Sequence, residues 1–336
     1  MRTLLKILCI IGLMCICLIG QYIHSSWKEE KKWTKLSVSQ STTQQSTEAS
    51  TDYSSIRIVC IVFTKIVNHN TRAKAIKETW GKRCKALIFI SNSTVHLSDV
   101  SVFNINRTDD YNLIWGKTKA GFKHAFELFK DEADFFMKTD DDSFVVIENL
   151  QKMLVDKNVK PTDPIWFGNH FRLFTELGYM AGGGYVLSRE SARRFVKLGL
   201  EIKDQNQCRT ASDNGFEDLE MGRCLGSLGV VPGDSRDEYG RARMFCFNAE
   251  TVLNTWLPEK SFWYWKYIKH PQYFGHPGCC SDRTVSYHYV TTKNIYLYDY
   301  LMYSAFVRGE NNQKRTPPLP ETLIQNINVD WKAIRG

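Results

Sequence analysis

The sequence has no run or patch of basic residues. Its 44 Lys and Arg are spread along 336 residues and interleaved with 36 Asp and Glu, so the formal net charge is only +8. Proteins that bind nucleic acids usually concentrate their positive charge on one face or in one segment. The dispersed charge therefore argues against a nucleic-acid partner and suits either simple solubility or an anionic small substrate.

Signature residues of three common sites are missing as well. None of the ten cysteines forms a C-x-x-C motif, so the usual structural zinc modules are not expected. The segment "WGKTK" resembles the end of a phosphate-binding P-loop, but the position where that loop requires glycine is Tyr111. An EF-hand calcium loop starting at position 140 would need Gly and Glu where Val145 and Gln151 stand.

Charged residues are absent from residues 7–23, an apolar run that follows the basic residues Arg2 and Lys6. Its length lies at the short end of the range for a membrane span. A cleaved signal peptide is the alternative, but no small-x-small cleavage site follows the run. The pattern predicts a cytosolic tail at 1–6, a signal-anchor transmembrane helix at 7–23 and a lumenal C-terminus.

Apolar residues are then scarce as far as Ser55, and such a segment cannot bury a core. We expect a flexible, Ser/Thr-rich stem at 24–55, a lumenal catalytic domain at 56–310 and a loose C-terminal tail at 311–336. An anchor, a stem and one lumenal domain are typical of Golgi enzymes. The layout therefore predicts a single-pass type II protein of the Golgi membrane.

Three of the ten cysteines lie in the apolar run, which leaves seven for the lumen. An oxidising lumen favours disulfide bonds, so most of these cysteines should pair and one is left over. The sequons at Asn92 and Asn106 are candidate N-glycosylation sites in the same compartment.

Strand-like and helical patterns alternate in the first half of the lumenal part. The segments 56–64, 85–91 and 134–140 are short apolar runs that predict strands, whereas a segment starting near Thr71 and the segment 112–133 have helical spacing. This alternation predicts an α/β fold with a mostly parallel sheet. Ligands of such sheets bind at the carboxyl ends of the strands.

Asp140, Asp141 and Asp142 follow the third of these strands directly. One interpretation is that they cap the helix that follows, although a single Asp suffices for a cap. The other is a DxD metal site, in which Mg²⁺ or Mn²⁺ clamps the diphosphate of a nucleotide sugar. Three adjacent like charges are costly without a cation among them, so the pattern favours the metal site.

Glu217 and Asp218 stand at the start of an apparent helix. A transferase that inverts the sugar carbon needs a carboxylate base well separated from the metal site. Acidic residues are also favoured in any first turn by the helix dipole. The residues alone leave both interpretations of this pair open.

Several segments, in this order, resemble the core 1 β1,3-galactosyltransferases (glycoprotein-N-acetylgalactosamine 3-β-galactosyltransferases). These belong to the β1,3-glycosyltransferase family that includes the Fringe proteins. The resemblance extends from about Ile56 to Val307. It is carried by "AKAIKETWGKRC", "WGKTKA", "FFMKTDDDSFV", "GYMAGG", "GYVLS", "EDLEMGRC", "GDSRD", "FWYW" and "PGCCSDRTVSYHYV".

The resemblance implies a GT-A-type, Rossmann-like domain that transfers galactose from UDP-galactose to the 3-hydroxyl of GalNAc on Ser or Thr of glycoproteins. The transfer would invert the sugar carbon and use Mn²⁺, with Mg²⁺ as the alternative ion. Asp140 and Asp142 would bind the metal, and His288 would complete its shell. Without the resemblance, a strand histidine facing solvent is the simpler interpretation of His288.

The resemblance also assigns roles on the two substrate sides. Asp218 would be the general base and Glu217 would help to hold the acceptor sugar. The aromatic residues Trp263, Tyr264 and Trp265 would form the acceptor region, although as residues alone they are better explained as core. The donor side would be formed by Thr64, Lys117 and Asp141.

The family's cysteine pattern implies three disulfide bonds, namely Cys60–Cys84, Cys208–Cys224 and the vicinal Cys279–Cys280. Cys246 is then the odd thiol. It could link two chains into a homodimer or lie buried, and we expect it to be buried.

The sequence departs from the family pattern in three places. The glycine segment "GYMAGGGYVLS" is one residue shorter than in the family, and the Cys208–Cys224 interval is about two residues longer. Phe245 and Cys246 replace a stretch that contains His-Pro in the family. These changes leave two alternatives open, a non-catalytic chaperone-like or binding paralogue and a β1,3-transferase with another donor or acceptor. Retention of the acids and of His288 favours an enzyme.

Overall fold

The computed structural model describes residues 53–92, 101–105, 110–254, 261–270, 272, 274–275 and 279–305. The predicted anchor, nearly all of the predicted stem and the predicted C-terminal tail lie outside these residues. Within the described ranges, no helix is both long enough and apolar enough to cross a membrane.

A seven-stranded sheet with the order β3-β2-β1-β4-β7-β6-β8 occupies the centre of the described part. Its strands are β1 (Ile58–Phe63), β2 (Ala86–Ser91), β3 (Ser101–Asn104), β4 (Phe135–Asp140), β6 (Ile165–Phe171), β7 (Tyr179–Ser188) and β8 (Val231–Pro232). Strands β3, β2, β1 and β4 are mutually parallel and β8 is parallel to β6. Only β7 runs antiparallel to its neighbours, β4 and β6. The predicted mixed α/β fold with a mostly parallel sheet is confirmed.

The strands at the centre of the sheet are apolar because both of their faces are covered. Every residue of β1 is buried, as the continuous run "IVCIVF" predicts for a parallel strand between two helical layers. Strand β4 is buried as far as Thr139 and becomes accessible at Asp140. The apolar half of "FFMKTD" therefore anchors the strand, and its end delivers the aspartates to the edge of the sheet.

Eight α-helices in the described ranges accompany the strands. They are α1 (Lys74–Glu78), α2 (Ile114–Phe129), α3 (Ile147–Asp156), α4 (Arg189–Lys197), α5 (Glu217–Ser227), α6 (Ala249–Asn254), α7 (Tyr264–Tyr267) and α8 (Thr292–Tyr303). A π-helical turn, His69–Ala73, leads into α1, so the helix predicted near Thr71 is present. Two further short strands, β5 (Phe144–Val145) and β9 (Ser286–Tyr287), pair with each other.

The helix after the three aspartates begins later than the capping interpretation requires. Its first residue is Ile147, its N-cap position is Val146, and no side chain caps it. Asp142 lies before β5 instead of at a helix N-terminus. The interpretation of the aspartates as helix caps is therefore wrong.

The three disulfide bonds implied by the cysteine pattern are all present, namely Cys60–Cys84, Cys208–Cys224 and Cys279–Cys280. Cys246 is free and buried, as expected. A buried thiol cannot reach a second chain, which argues against a homodimer linked through it.

Candidate active site

A cavity of about 450 Å³ opens beside the carboxyl ends of β1 and β4. One wall consists of residues that follow these two strands, and another consists of residues from β7, the first turn of α5 and Trp263. This is the edge of the sheet at which the strand pattern predicts a ligand. The three aspartates and the pair Glu217–Asp218 all line it.

Asp141, the middle aspartate, is hydrogen-bonded to other side chains of the protein. Its carboxylate accepts hydrogen bonds from the Thr64 hydroxyl at 2.7 Å, the Asn68 amide at 2.8 Å and the Arg72 guanidinium at 3.1 Å. The parallel register pairs Phe63 with Asp140, which places the next residues of the two strands side by side. Asp141 thus ties the segment after β1 to the end of β4 and has its charge offset by Arg72.

The outer aspartates face His288. The Nε2 atom of His288 lies 3.2 Å from Oδ1 of Asp142 and 3.8 Å from Oδ2 of Asp140. Pairing of β5 with β9 brings the histidine there, since Phe144 pairs with Tyr287 and places the next residue opposite the aspartates. Burial acts to raise the pKa of Asp142, but the hydrogen bond from His288 and the charge of Arg72 outweigh it, so the pKa lies below its ordinary value.

This group has the chemistry of a divalent-metal site. Two carboxylates beside one imidazole nitrogen repel its lone pair unless a proton or a cation lies between them, and carboxylate with imidazole suits Mn²⁺. The carboxylate side of this group is accessible to solvent, since the Asp140 side chain is 31% exposed. In the described part of the chain, no three His, Cys, Asp or Glu side chains are already close enough to hold an ion. The three side chains fit the ion by their chemistry, but they would have to draw together around it.

A buried lysine lies between this group and α5. The Nζ atom of Lys138 lies 3.1 Å from Oδ1 of Asp140 and 3.0 Å from Oε2 of Glu217, and its side chain is 3% exposed. The other oxygen of Glu217 accepts a hydrogen bond from the Tyr185 hydroxyl. Burial alone would lower the pKa of Lys138, but the two carboxylates raise it above its ordinary value, so the ammonium stays charged.

Asp218 follows Glu217 in the first turn of α5. Burial, and then the neighbouring Glu217 charge, raise the pKa of Asp218 from 3.8 to about 7. Its Oδ1 atom accepts a short-range hydrogen bond of 2.9 Å from the Leu219 amide. A carboxylate with a pKa near neutrality can take a proton from a hydroxyl and release it again, as a general base must.

The predicted acceptor aromatics divide into one cavity residue and two packing residues. Trp263 is 50% exposed and lines the cavity. Tyr264 is buried, and its hydroxyl is hydrogen-bonded to Asn169 at 3.0 Å and to Gln272 at 2.8 Å. Trp265 does not line the cavity and packs against Phe274. Of the three aromatic residues, Trp263 alone is among those that line the cavity.

The predicted donor-side residues do lie together. Thr64 and Lys117 both line the cavity, and the Lys117 ammonium donates to the Thr64 carbonyl oxygen at 2.7 Å. Sequence reasoning missed other lining residues, namely Asn68, Arg72, Tyr111, Lys138, Tyr185 and Tyr289. A signal existed for Lys138, because a lysine inside the apolar run "FFMKTD" needs a buried partner.

Two departures from the family pattern meet in the cavity wall. The amide of Gly183 donates to the carbonyl oxygen of Phe245 at 3.1 Å. Gly182 has a φ of +82°, and a β-carbon there would lie 2.5 Å from the Cys246 sulfur. Burial raises the pKa of the Cys246 thiol, which therefore stays protonated beside the Ala181 carbonyl oxygen, at 3.3 Å. The shortened glycine segment therefore packs directly against Phe245 and Cys246.

Of the two predicted glycosylation sites, only Asn92 is described. It is partly exposed and follows β2 directly. Asn106 lies outside the described residues.

The chain is similar to known glycosyltransferases. A family model for galactosyltransferases matches residues 78–176. The chain is 34% identical over 268 residues to glycoprotein-N-acetylgalactosamine 3-beta-galactosyltransferase 1 of Xenopus laevis, a match that covers 79% of this chain and 71% of the relative. A human beta-1,3-glucosyltransferase is 25% identical over 48% of this chain and 31% of its own length. UDP-GalNAc:beta-1,3-N-acetylgalactosaminyltransferase 2 of Xenopus laevis is 26% identical over 53% of this chain and 37% of its own length.

A solved structure of a glycosyltransferase involved in the glycosylation of the major capsid of PBCV-1 covers 44% of this chain and 68% of its own, with 13% identity and a TM-score of 0.28. That similarity is too low to bear on the fold, which rests on the strand order itself. The Xenopus galactosyltransferase, in contrast, matches over most of both chains. On that match, the chain belongs to the galactosyltransferase family and is a glycosyltransferase.

Proposed function

We propose that this enzyme transfers galactose from UDP-galactose to the 3-hydroxyl of GalNAc linked to Ser or Thr of glycoproteins, with inversion of the sugar carbon. The name of the Xenopus relative supports this donor and acceptor. The observation that carries the proposal is the pairing of two acidic groups in one cavity. Asp140 and Asp142, beside His288, line the cavity, and so does Asp218, whose pKa is about 7.

In this proposal Asp140, Asp142 and His288 hold Mn²⁺, with Mg²⁺ as the alternative, in a GT-A-type domain. The bound ion would neutralise the diphosphate of the departing UDP. Thr64 and Lys117 bind the donor on the wall next to β1, and Asp141 keeps that wall in place through Arg72.

Asp218 takes the proton of the acceptor hydroxyl as that oxygen attacks the sugar carbon. Its pKa near 7 makes it a stronger base than an ordinary aspartate while a large share remains ionised at neutral pH. The half-exposed ring of Trp263 stacks on the acceptor sugar from the same wall. Glu217 borders the acceptor, although both of its oxygens already bind the protein.

The chain layout completes the proposal. Residues 7–23 anchor the protein in the Golgi membrane, residues 24–55 form the stem, and residues 56–310 form the lumenal catalytic domain, followed by the tail at 311–336. Such an arrangement would bring the cavity to glycoproteins that pass through the lumen.

The decisive experiment is an assay of the full chain, purified in detergent from a secretory-pathway host. It uses UDP-galactose and a GalNAc-Thr peptide, with Mn²⁺ or with EDTA, and compares wild type with Asp142→Ala and Asp218→Asn. We expect a β1,3-linked product that requires the metal. Loss of the base should cost about 10²- to 10⁴-fold in kcat. Asp131→Asn, at an aspartate that is 85% exposed and paired with Lys130, is the matched control.

Two arms of the assay separate the alternatives. UDP-glucose and UDP-GalNAc test another donor, because relatives named for transfer of these sugars also match this chain. Folded protein that transfers no sugar from any of the three donors would contradict the proposal and favour a non-catalytic paralogue.

A further inference from the structure

One buried ammonium connects the two acidic groups of the cavity. Lys138 is 3.1 Å from Asp140 on the metal side and 3.0 Å from Glu217 on the base side, and its side chain is almost completely buried. The ring of Phe63 lies 4.8 Å from the ammonium and covers it.

The strand register makes this connection. Lys138 and Asp140 stand two residues apart on β4, so their side chains share one face of the sheet. Lys138 is paired directly with Tyr185 of the antiparallel strand β7. Both side chains reach Glu217, the first residue of α5, and each takes one of its carboxylate oxygens. The first turn of α5 is therefore held to the metal-side strand through a single carboxylate.

The buried ion pairs of Lys138 are not expected to add much to the stability of the fold. Burying one cation between two carboxylates costs desolvation of all three ions, and apolar side chains of similar size are often as stable or more so. A methionine at position 138 with a glutamine at 217 would fill similar volume without the buried charges. The arrangement is better explained by what it positions, since Asp218 is the next residue along the helix.

We propose that Lys138 is a positioning residue that sets the placement of Asp218 relative to the metal-side aspartates by holding Glu217. The inference rests on the proposed function and changes one part of it: Glu217 holds the base helix in place, and contact with the acceptor sugar is left to other side chains. Lys138 itself touches neither reacting atom.

A double-mutant cycle in the full chain tests this assignment. The variants are Lys138→Met, Glu217→Gln and the combination, with Tyr185→Phe as a milder change and Lys130→Met, at an exposed lysine, as the control. Misplacement of a catalytic group by about 1 Å costs about 10²-fold, so each of the first two should lower kcat by about that factor. In Glu217→Gln the KM for UDP-galactose should change less than about 3-fold, because the ion pair between Lys138 and Asp140 stays in place.

The combination is the critical variant. If Lys138 acts through Glu217, the double variant should be no slower than the slower single variant, because each change breaks the same connection. Losses in kcat that multiply would overturn the proposal, as would a rise in KM for the donor with kcat unchanged. Circular dichroism and thermal unfolding check folding. Should Lys138→Met leave Glu217 charged and unpaired and fail to fold, Glu217→Gln and the double variant still decide between the two outcomes.

The wild-type arm separates this inference from the function on which it rests. Wild type that transfers no galactose overturns the proposed function and the role of Lys138 with it. If wild type transfers galactose but Lys138→Met is equally fast, only the role of Lys138 is overturned.

Discussion

At the scale of the residue, Asp218 differs most from an ordinary aspartate, because burial and the Glu217 charge raise its pKa to about 7. Only its ionised form can accept a proton, so kcat/KM for the acceptor should fall tenfold per pH unit below about pH 7. Glu217→Gln removes a neighbouring negative charge, so the pKa of Asp218 should fall and the acid limb should move to lower pH. Initial rates between pH 5 and pH 9 measure both midpoints.

The direction of that movement is the informative part. Glu217→Gln is expected to lower kcat as well, but a change in rate does not shift the midpoint of a pH profile. A midpoint that stays in place, or moves to higher pH, would show that Asp218 is not the group that titrates. Asp282→Asn, at a largely exposed aspartate, serves as the control.

The same aspartate should weaken the fold at neutral pH. Its folded-state pKa of about 7 exceeds its ordinary value of 3.8, so ionisation opposes folding in the window between these values and fully above it. Asp218→Asn keeps the acceptor for the Leu219 amide but removes the charge. We expect equal free energies of unfolding at pH 4 and a gain of at most about 4 kcal/mol at pH 8. Urea unfolding at both pH values checks this, and a variant that is less stable at pH 8 would contradict it.

Part of the candidate site could be predicted from residue types alone. Three aspartates after an apolar strand point to a metal because of their charge, without reference to their partners. Lys138, Tyr185 and Arg72 could not be placed in the same way, because their roles depend on pairing between strands distant in sequence. Burial within the aromatic triplet could not be predicted either, because Tyr264 has a ring that could stack on a sugar but is buried, with its hydroxyl hydrogen-bonded to Asn169 and Gln272.

At the scale of the element, the disulfide bond Cys208–Cys224 ties the loop before α5 to the middle of that helix, across 16 residues. A bond that closes a loop of this length contributes about 3 kcal/mol, chiefly by restricting the unfolded chain. Replacing both cysteines with alanine should therefore lower the free energy of unfolding by about that amount. It should also lower kcat, since α5 carries Asp218. Guanidinium unfolding and the transfer assay measure the two effects.

The vicinal bond Cys279–Cys280 is the natural comparison. It joins neighbours in the chain and closes no loop, so removing it should affect the unfolded state little. An equal loss of stability in both double-alanine variants would contradict the loop-closure argument.

Elements were predicted well where one segment carries its own pattern. Strands β1, β2 and β4 and helix α2 follow from local apolar periodicity, and their observed bounds lie within a few residues of the predicted ones. The start of α3 was not predictable, because β5 takes Phe144 and Val145 into a pairing with β9 some 140 residues later. Contacts at that distance leave no trace in local sequence.

At the scale of the whole molecule, the metal-side aspartates lie at the rim of the sheet and contribute little to its core. Chelation by EDTA should therefore abolish transfer but leave the unfolding temperature nearly unchanged. UDP at about 100 times its Kd, in the presence of Mn²⁺, should stabilise the protein by about 2.7 kcal/mol. Asp142→Ala should lose this gain, whereas Asp282→Asn should keep it. Differential scanning fluorimetry measures the shift, and unfolding caused by EDTA alone would contradict the peripheral position of the ion.

The antiparallel pairing of β4 with β7 divides the sheet into two parts, β3-β2-β1-β4 and β7-β6-β8. The wall next to β1 belongs to the first part, and the wall built by β7 and α5 belongs to the second. In the proposed function the donor lies along the first part and the acceptor along the second, so substitutions in the second part should change the acceptor with little effect on the choice of nucleotide. Lys138 and Tyr185 are paired across the boundary between the two parts, so substitutions at either position would act on both of them.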